Sequence, residues 1–355
     1  MKHILLSLLI CSFALGHAQT EVSPYQPGVT KEGVTYFLPK TGIHVTVTAR
    51  RKSYKPGEYS RYAERYLRLK NVTQQPYDEW EILKLDITTY GSADPSQAYT
   101  IKVKTKTSAP LVGLAPDGRL LSVNTAMPAL PQLSRPSVVK DKAPTLNPAD
   151  YKTGEILAAG STSKMAELTA NEIYDIRENR SMLTKGQADF MPQDGEQLRL
   201  MLKQLDTNEE ALLQLFKGTV TAETHVFTFD LIPDGNVENA LLFRFSKHFG
   251  LVDNDDLSGT PFYITVEDMH TLPSEDPTAQ KSKNDKEDLR YIVPGKATIH
   301  LMRDNHEIAS QVVTMAQLGR VEHLGGDLFN KKYTTSVVLS PETGAIVKIN
   351  AEEPQ

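Results

Sequence analysis

Two kinds of short pattern in the chain match the spacing of catalytic motifs, and each lacks a part that the chemistry requires. Residues 306–310, His-Glu-Ile-Ala-Ser, begin like the helix of a zinc protease, but a serine stands where the second histidine ligand is needed. Residues 137–140 and 161–164 read Ser-x-x-Lys, as in penicillin-recognising enzymes. The first of these lies in a proline-rich stretch where no rigid helix can aim the serine. Lys152-Thr153-Gly154, which matches the third motif of those enzymes, follows Lys140 too closely for a domain between them. We expect none of these segments to be catalytic.

Acidic residues are the next candidates for chemistry. Residues 253–259 form an oxygen-rich run, and calcium favours such ligands, but the spacing is not that of an EF-hand, so we expect a solvated acidic turn. The 44 acidic residues allow many carboxylate pairs, and their spacing singles out none for a glycosidase-like reaction. The sequence therefore predicts no catalytic, cofactor-binding or metal-binding residue, and no cofactor.

Aromatic residues offer a possible binding surface. Trp80 and Tyr77, with Tyr59, Tyr62 and Tyr66 nearby in the sequence, could present rings to a sugar or a peptide. Packing of the same rings into a core is the alternative. Trp80 and Tyr77 are the candidate ligand-binding residues, and a glycan is the ligand that they would suit.

Strands must carry most of these residues. Apolar and polar residues alternate with a period of two, which predicts strands with one buried face. The apolar positions are 43, 45, 47 and 49, then 83, 85 and 87, and later 227, 229 and 231 (with His225 on the same face), 241, 243 and 245, 262, 264 and 266, and 297, 299 and 301. Many short alternating strands with turn signals between them are typical of a β-sandwich.

Helical spacing replaces this alternation between residues 153 and 218. Thr169, Asp194 and Thr207 are each followed three residues later by Glu or Gln and then by apolar residues at helical spacing. Such capping boxes predict helix starts, and Gly218 suits the end of the last helix. A further, short helix is predicted at residues 58–67.

The predicted fold is mainly β (α+β), with two β-sandwich-like domains and a small helical insert between them. The N-terminal β domain covers residues 30–127, and the C-terminal β domain covers residues 219–350. A Pro-rich linker at 128–152 leads into the helical insert at 153–218. Residues 274–288 are polar and charged almost throughout, which predicts a mobile loop in the second β domain.

The first 18 residues have the three parts of a cleavable secretory signal peptide. Lys2 gives a short basic start, residues 4–15 are almost wholly apolar, and Gly16-His17-Ala18 places small residues at −3 and −1 of a cut after Ala18. The apolar stretch is too short for a permanent membrane helix. We therefore expect export, to the periplasm, the outer membrane or the cell surface.

The only cysteine of the chain lies inside this signal. Cys11 follows Ile10, whereas a lipoprotein signal requires a small residue just before the cysteine, so lipid attachment is not expected. A mature chain beginning at Gln19 has no cysteine. It can form no disulfide, thiol nucleophile or thiolate metal site.

Charge argues against nucleic acid as a partner. The net charge is −5, and removal of Lys2 with the signal makes it −6. The densest basic run, residues 50–52, is too short to neutralise many phosphates and is predicted to be a solvated strand end. No second long apolar segment follows the signal, so no transmembrane helix is expected in the mature chain.

A series of short motifs runs along nearly all of the mature chain. They are Thr35-Tyr36-Phe37-Leu38-Pro39-Lys40-Thr41, Tyr54-Lys55-Pro56-Gly57-Glu58-Tyr59, Tyr62-Ala63-Glu64-Arg65-Tyr66-Leu67, Ala93-Asp94-Pro95, Ile176-Arg177-Glu178-Asn179-Arg180, Leu215-Phe216-Lys217-Gly218 and Phe243-Arg244-Phe245-Ser246. In this order they resemble a bacterial secreted family known as domain of unknown function 4831. The resemblance implies export and a mainly β architecture. The family has no established activity, so no functional residue is carried over.

We expect an exported, non-catalytic structural or binding protein of the bacterial cell envelope, such as a subunit of an outer-membrane assembly. Its partners would be other envelope or outer-membrane proteins. One alternative is a hydrolase of polysaccharide or peptidoglycan, which predicts two facing carboxylates about 5 to 10 Å apart in a cleft. The other is a carbohydrate-binding module, which predicts Trp80 or several tyrosines exposed on a flat or concave face.

Overall fold

The computed structural model describes residues 20–24, 34–103, 112–141, 146–272, 289–324 and 334–352. The predicted signal peptide, residues 1–18, and the predicted mobile loop, residues 274–288, lie outside the described residues. Everything that follows concerns the described part of the chain.

Strands make up most of the regular structure, so the mainly β prediction is confirmed. The strands are β1 (Thr20–Pro24), β2 (Val34–Lys55), β3 (Tyr77–Val103), β4 (Val112–Leu114), β5 (Leu120–Val123), β6 (Ser137–Lys140), β7 (Thr219–Leu231), β8 (Val237–Ser246), β9 (Gly250–Val252), β10 (Thr260–Asp268), β11 (Leu289–Arg303), β12 (His306–Leu324), β13 (Thr334–Leu339) and β14 (Ile346–Glu352). The helices are α1 (Ala63–Leu67), α2 (Gly154–Ala158), α3 (Thr162–Lys185) and α4 (Gly195–Lys217), with 3-10 turns at Ser60–Tyr62 and Pro148–Tyr151.

Two five-stranded antiparallel sheets pack face to face. The first has the strand order β1-β3-β2-β7-β6 and the second has the order β12-β11-β10-β8-β9. Their inner faces meet in a core that includes Val45 and Val47 from the first sheet and Phe243, Ile264 and Ile299 from the second. Alternating apolar residues predicted such inner faces, because successive side chains of a strand point to opposite sides.

The two predicted β domains form one continuous sandwich. β2 pairs with β3 on one side and with β7 on the other. The register between β2 and β7 runs from Ile43 opposite Leu231 to Lys55 opposite Thr219. Strands of the ranges 30–127 and 219–350 therefore share a sheet and a core, and the predicted boundary does not separate two cores. The cause is burial: the apolar face of β2 is covered by β8, β10 and β11, which lie in the later range.

A smaller third sheet closes one end of the sandwich. Its order, β14-β13-β5-β4, again joins strands from both halves of the chain. Tyr36, Ile101, Leu120 and Val337 are all buried in the core that lies beneath it.

The range predicted as a linker, 128–152, contains an edge strand. β6 pairs antiparallel with β7, from Ser137 opposite Val226 to Lys140 opposite Glu223. Pro136 precedes this strand. Because proline cannot donate to a ladder, its position just outside β6 is one that a sheet edge tolerates.

The helical insert is confirmed, since α2, α3 and α4 fall within 153–218. The Asp194 cap is also confirmed, because its carboxylate accepts the Gln197 N–H at 2.7 Å. The predicted starts at Thr169 and Thr207 are wrong: both residues lie inside helices, where each hydroxyl donates to the carbonyl four residues earlier. None of the helices in the described ranges combines the length and apolar character needed to span a bilayer.

Candidate functional site

Trp80, one of the two candidate ligand-binding residues, is half-buried at the inner face of the first sheet. Its ring centroid lies 4.7 Å from the ring centroid of His225 and 5.9 Å from the guanidinium carbon of Arg51. On the second sheet, Gly250 approaches so closely that a Cβ there would lie 2.8 Å from the ring. The ring is thus packed between the two sheets and does not form a flat, open platform for a sugar.

Tyr77 lies on the other side of β3. It is 48% exposed and stacks on Tyr54, with ring centroids 5.0 Å apart. The register places Tyr77 opposite Tyr54 and Trp80 opposite Arg51. Positions an odd number of residues apart on a strand face opposite sides. The structure therefore does not bring the two candidate ligand-binding residues together.

The neighbouring tyrosines pack the helical insert against the segment that connects β2 to β3. Tyr59 is fully buried, and its ring meets Phe216 edge-on, with centroids 5.5 Å apart. Tyr62 and Tyr66 pack against the same core. These rings contribute packing rather than an aromatic binding surface.

The zinc-protease-like and Ser-x-x-Lys segments adopt structures that do not support catalysis. His306 and Glu307 begin strand β12 rather than a helix, and Glu307 accepts a 2.6 Å hydrogen bond from the ring of His300. Residues 137–140 form the edge strand β6. Ser161 caps α3 and accepts the backbone N–H of Lys164, and the Lys164 ammonium is bound to Glu167 at 2.8 Å.

The acidic loop at 253–259 is held by protein contacts. The Asp256 carboxylate accepts the Ser258 N–H at 2.8 Å, and this hydrogen bond lowers the pKa of Asp256. Arg244 donates to the carbonyls of Asn254 and Gly259. Among the described residues, no group of three or more His, Cys, Asp or Glu side chains is arranged to hold a metal ion.

A groove of about 680 Å³ runs between α4 and the start of β7. Its acids, Asp206, Glu209 and Glu210, all come from α4. Glu209 is buried and accepts hydrogen bonds from Arg177, at 2.7 Å, and from Arg180. Asp206 lies 2.9 Å from the same Arg180. Two of the three carboxylates are therefore neutralised by arginines of α3.

Burial raises the pKa of the Glu209 carboxyl, but the hydrogen bonds from Arg177 and Arg180 outweigh burial and leave the pKa below its ordinary value. A general acid of a glycosidase needs a raised pKa so that it is protonated when the reaction begins. The pKa of Glu209 is shifted in the opposite direction. We conclude that this ion-pair cluster joins α3 to α4 and is not arranged for acid catalysis.

Replacing Glu209 with glutamine is expected to make the free energy of unfolding depend less on pH in the acid range. Because the folded pKa is lowered, the stabilisation by Glu209 is present above the ordinary carboxyl pKa and is lost as the pH falls through the lower folded value. Urea unfolding at a series of pH values measures this. Glu210→Gln, at the exposed neighbouring position, is the matched control and should leave the profile unchanged. Equal profiles for the wild type and Glu209→Gln would show that the ion pairs add nothing.

An uncharged apolar pocket lies at the tip of the helical hairpin formed by α3 and α4. It has a volume of about 390 Å³. Its lining residues are Asn179, Met182, Leu183, Ala188, Phe190, Met201, Gln204 and Leu205. None of these side chains carries a charge. Phe190 is 67% exposed at its edge, in the connection between the two helices. We call this feature the hairpin-tip pocket.

Sequence reasoning missed the hairpin-tip pocket, although a signal was present. Phe190-Met191 is an apolar pair in a connection between two helices, where polar residues are expected. Exposed apolar residues that lie together mark interaction sites more often than scattered ones do.

Comparison with known proteins places most of this architecture in one family. No curated protein matches the chain, and no solved structure matches it. The model of a family described as "Domain of unknown function (DUF4831)" matches residues 32–347, a range that includes the helical hairpin and strands of all three sheets. The chain therefore belongs to the DUF4831 family.

Proposed function

We propose that the protein is an exported, non-catalytic binding protein of the bacterial cell envelope, and that the tip of its helical hairpin docks a partner protein. The observation that carries this proposal is the hairpin-tip pocket with Phe190 exposed at its edge. The proposal of export rests on the signal-like residues 1–18.

The chemistry of the pocket selects the partner. Its lining includes leucine and methionine side chains, and methionine adapts its shape to different apolar groups. Asn179 and Gln204 supply uncharged polar groups among them. A groove between two helices with this lining fits the apolar face of an amphipathic helix. The partner we propose is such a helix from another envelope or outer-membrane protein.

The two alternatives have less support. The acids of the groove beside α4 come from one helix, and two of them are bound to arginines, so they do not face each other across a substrate. A carbohydrate-binding role would need several open ring faces on one surface, whereas Trp80 is packed between the sheets and the exposed Tyr77 lies on the opposite side of β3, stacked on Tyr54.

Recovery of a partner from envelope membranes tests the proposal. Tagged protein lacking residues 1–18 is mixed with envelope membranes, cross-linked mildly, purified and analysed by mass spectrometry. We expect a reproducible set of outer-membrane or periplasmic proteins, recovered together with the tagged chain. Recovery of the chain alone would contradict the proposed function.

A further inference from the structure

We propose that the outer edge of β6 pairs with β6 of a second copy of this chain, so that the first sheets of two molecules continue into each other across a two-fold axis. This surface is distinct from the hairpin-tip pocket, and the inference goes beyond the proposed function.

The edge of β6 is open in the described chain. β6 is the last strand of the first sheet, and all four of its residues are exposed. Val138 is 55% exposed and Val139 is 59% exposed, on opposite faces of the strand. An edge strand presents unpaired N–H and C=O groups that can template pairing with another strand.

The hydrogen bonds to β7 show which groups of β6 remain free. The N–H of Asp141, just after β6, donates to the Ala222 carbonyl at 3.0 Å, so residue 141 points its backbone groups toward β7. In an antiparallel ladder this direction alternates along the strand. The N–H and C=O groups of Val138 and Lys140 therefore point away from β7, toward a new partner.

This alternation fixes the register of a two-fold pair. Val138 of each copy must lie opposite Lys140 of the other for all the outward groups of β6 to be used. Val139 then faces Val139 of the second copy in the central non-hydrogen-bonded pair, where side chains are closest. The aliphatic stem of Lys140 covers Val138 of the second copy, while its ammonium stays near Glu223, which lies 3.6 Å away in the same chain.

Charges at the two ends of β6 favour a second copy of the chain as the partner of this strand edge. Arg135 and Asp141 flank the strand, are both exposed, and form no ion pair with another described residue. In the register above, Asp141 of one copy lies opposite Ser137 of the other, with Arg135 at the diagonal position on the same face. Diagonal neighbours of this kind are within reach of long side chains. The two-fold axis forms the contact twice, which makes the edge complementary to itself.

Cysteine trapping tests the register directly, because the chain without its first 18 residues has no cysteine of its own. Cα atoms of a central non-hydrogen-bonded pair lie about 4.5 Å apart, within the range that a disulfide spans. Under mild oxidation we expect Val139→Cys to give covalent dimer at least about tenfold faster than Val220→Cys. Val220 is equally exposed, at 59%, but on β7, which the dimer keeps more than about 10 Å from its counterpart. Equal rates for the two variants would overturn the proposal.

Sedimentation of the protein without added cysteines provides an independent measurement. We expect a concentration-dependent dimer, and we expect Val138→Pro to shift it to monomer, because proline removes only an outward N–H. Retention of the Trp80 fluorescence transition shows that this variant folds. A wild-type chain that stays monomeric at high concentration, or a Val138→Pro chain that folds and dimerises normally, would overturn the proposal. Trapping of Val139→Cys to a different envelope protein in place of a second copy would also overturn it.

Discussion

Replacing Phe243 with alanine is expected to lower the free energy of unfolding by about 3 to 5 kcal/mol, the usual range for a buried phenylalanine. Phe243 is 2% exposed and stacks between Phe229 of the first sheet and Phe262 of the second, with ring centroids 4.8 and 4.5 Å away. Loss of the ring leaves a cavity in the centre of the sandwich, because close-packed neighbours relax only partly into the space.

The unfolding of this variant can be followed by a tryptophan in the other half of the chain. Trp80 is the only tryptophan and lies on β3, in the range 30–127. Since both ranges share one core, we expect Phe243→Ala to lower the urea midpoint of Trp80 fluorescence. Phe190→Ala, which removes an exposed ring from the helical hairpin, should leave that midpoint nearly unchanged. A Trp80 midpoint insensitive to Phe243→Ala would show that the two ranges unfold separately.

Replacing Gly57 with alanine is expected to lower the free energy of unfolding by about 2 to 4 kcal/mol, from overpacking and a strained hydrogen bond. A Cβ at Gly57 would lie 2.3 Å from the Leu215 carbonyl oxygen, which is backbone and cannot swing aside. Two residues later, the Tyr59 N–H donates to that same carbonyl at 2.7 Å. The end of α4 must therefore move away from the chain that follows β2.

Gly160→Ala is the matched control for this substitution. A Cβ at Gly160 would meet no atom within 4 Å, so its effect should stay within about 0.5 kcal/mol. Urea unfolding followed by circular dichroism measures both variants. Similar losses at the two glycines, or no loss at Gly57, would contradict the close approach seen between Gly57 and α4.

The contact between Gly57 and the end of α4 also brings together two of the motifs that the chain shares with the family. The segment 54–59 meets the segment 215–218: in addition to the contact of Tyr59, the Tyr54 hydroxyl donates to the Lys217 carbonyl at 3.0 Å. Gly218, with φ of +78°, ends α4 where a Cβ would meet the Lys55 carbonyl oxygen at 2.3 Å. Residues of these two motifs therefore fix the helical insert to the sandwich.

Periodicity predicted the strands and the helical insert because it reports which side of an element is buried. It does not report what covers that side. The apolar positions 43, 45, 47 and 49 required a partner sheet, but only long-range pairing, such as Ile43 opposite Leu231, shows that the sheet comes from the later range. The predicted boundary between the two β domains assumes that neighbours in sequence are neighbours in space, whereas strands of both ranges share the first sheet.

The misplaced helix starts have a local cause. Thr169 and Thr207 carry the side chain of a capping residue and the correct spacing to Glu, but each satisfies its hydroxyl within the helix, on the carbonyl four residues earlier. Threonine can make either bond, so the pattern alone does not separate a cap from a helix interior. Ser161, the observed cap of α3, lacks a Glu or Gln three residues on.

The candidate site was only partly predictable. An odd spacing between Tyr77 and Trp80 on one strand already places them on opposite faces, so the sequence held the reason why they do not form one surface. The hairpin-tip pocket needs the antiparallel approach of α3 and α4, which brings Met182 beside Met201 across the hairpin. The apolar pair Phe190-Met191 in the connection between the helices is the sequence signal that lies closest to it.

The most direct test of the docking proposal compares two phenylalanines. Phe190 and Phe249 are both 67% exposed, but only Phe190 lines the hairpin-tip pocket. Each is replaced with aspartate in the tagged chain, and the partner recovered from cross-linked envelope membranes is quantified by mass spectrometry. We expect Phe190→Asp to reduce the recovered partner at least about tenfold and Phe249→Asp to leave it near the wild-type amount. Equal recovery with both variants would contradict docking at the hairpin tip.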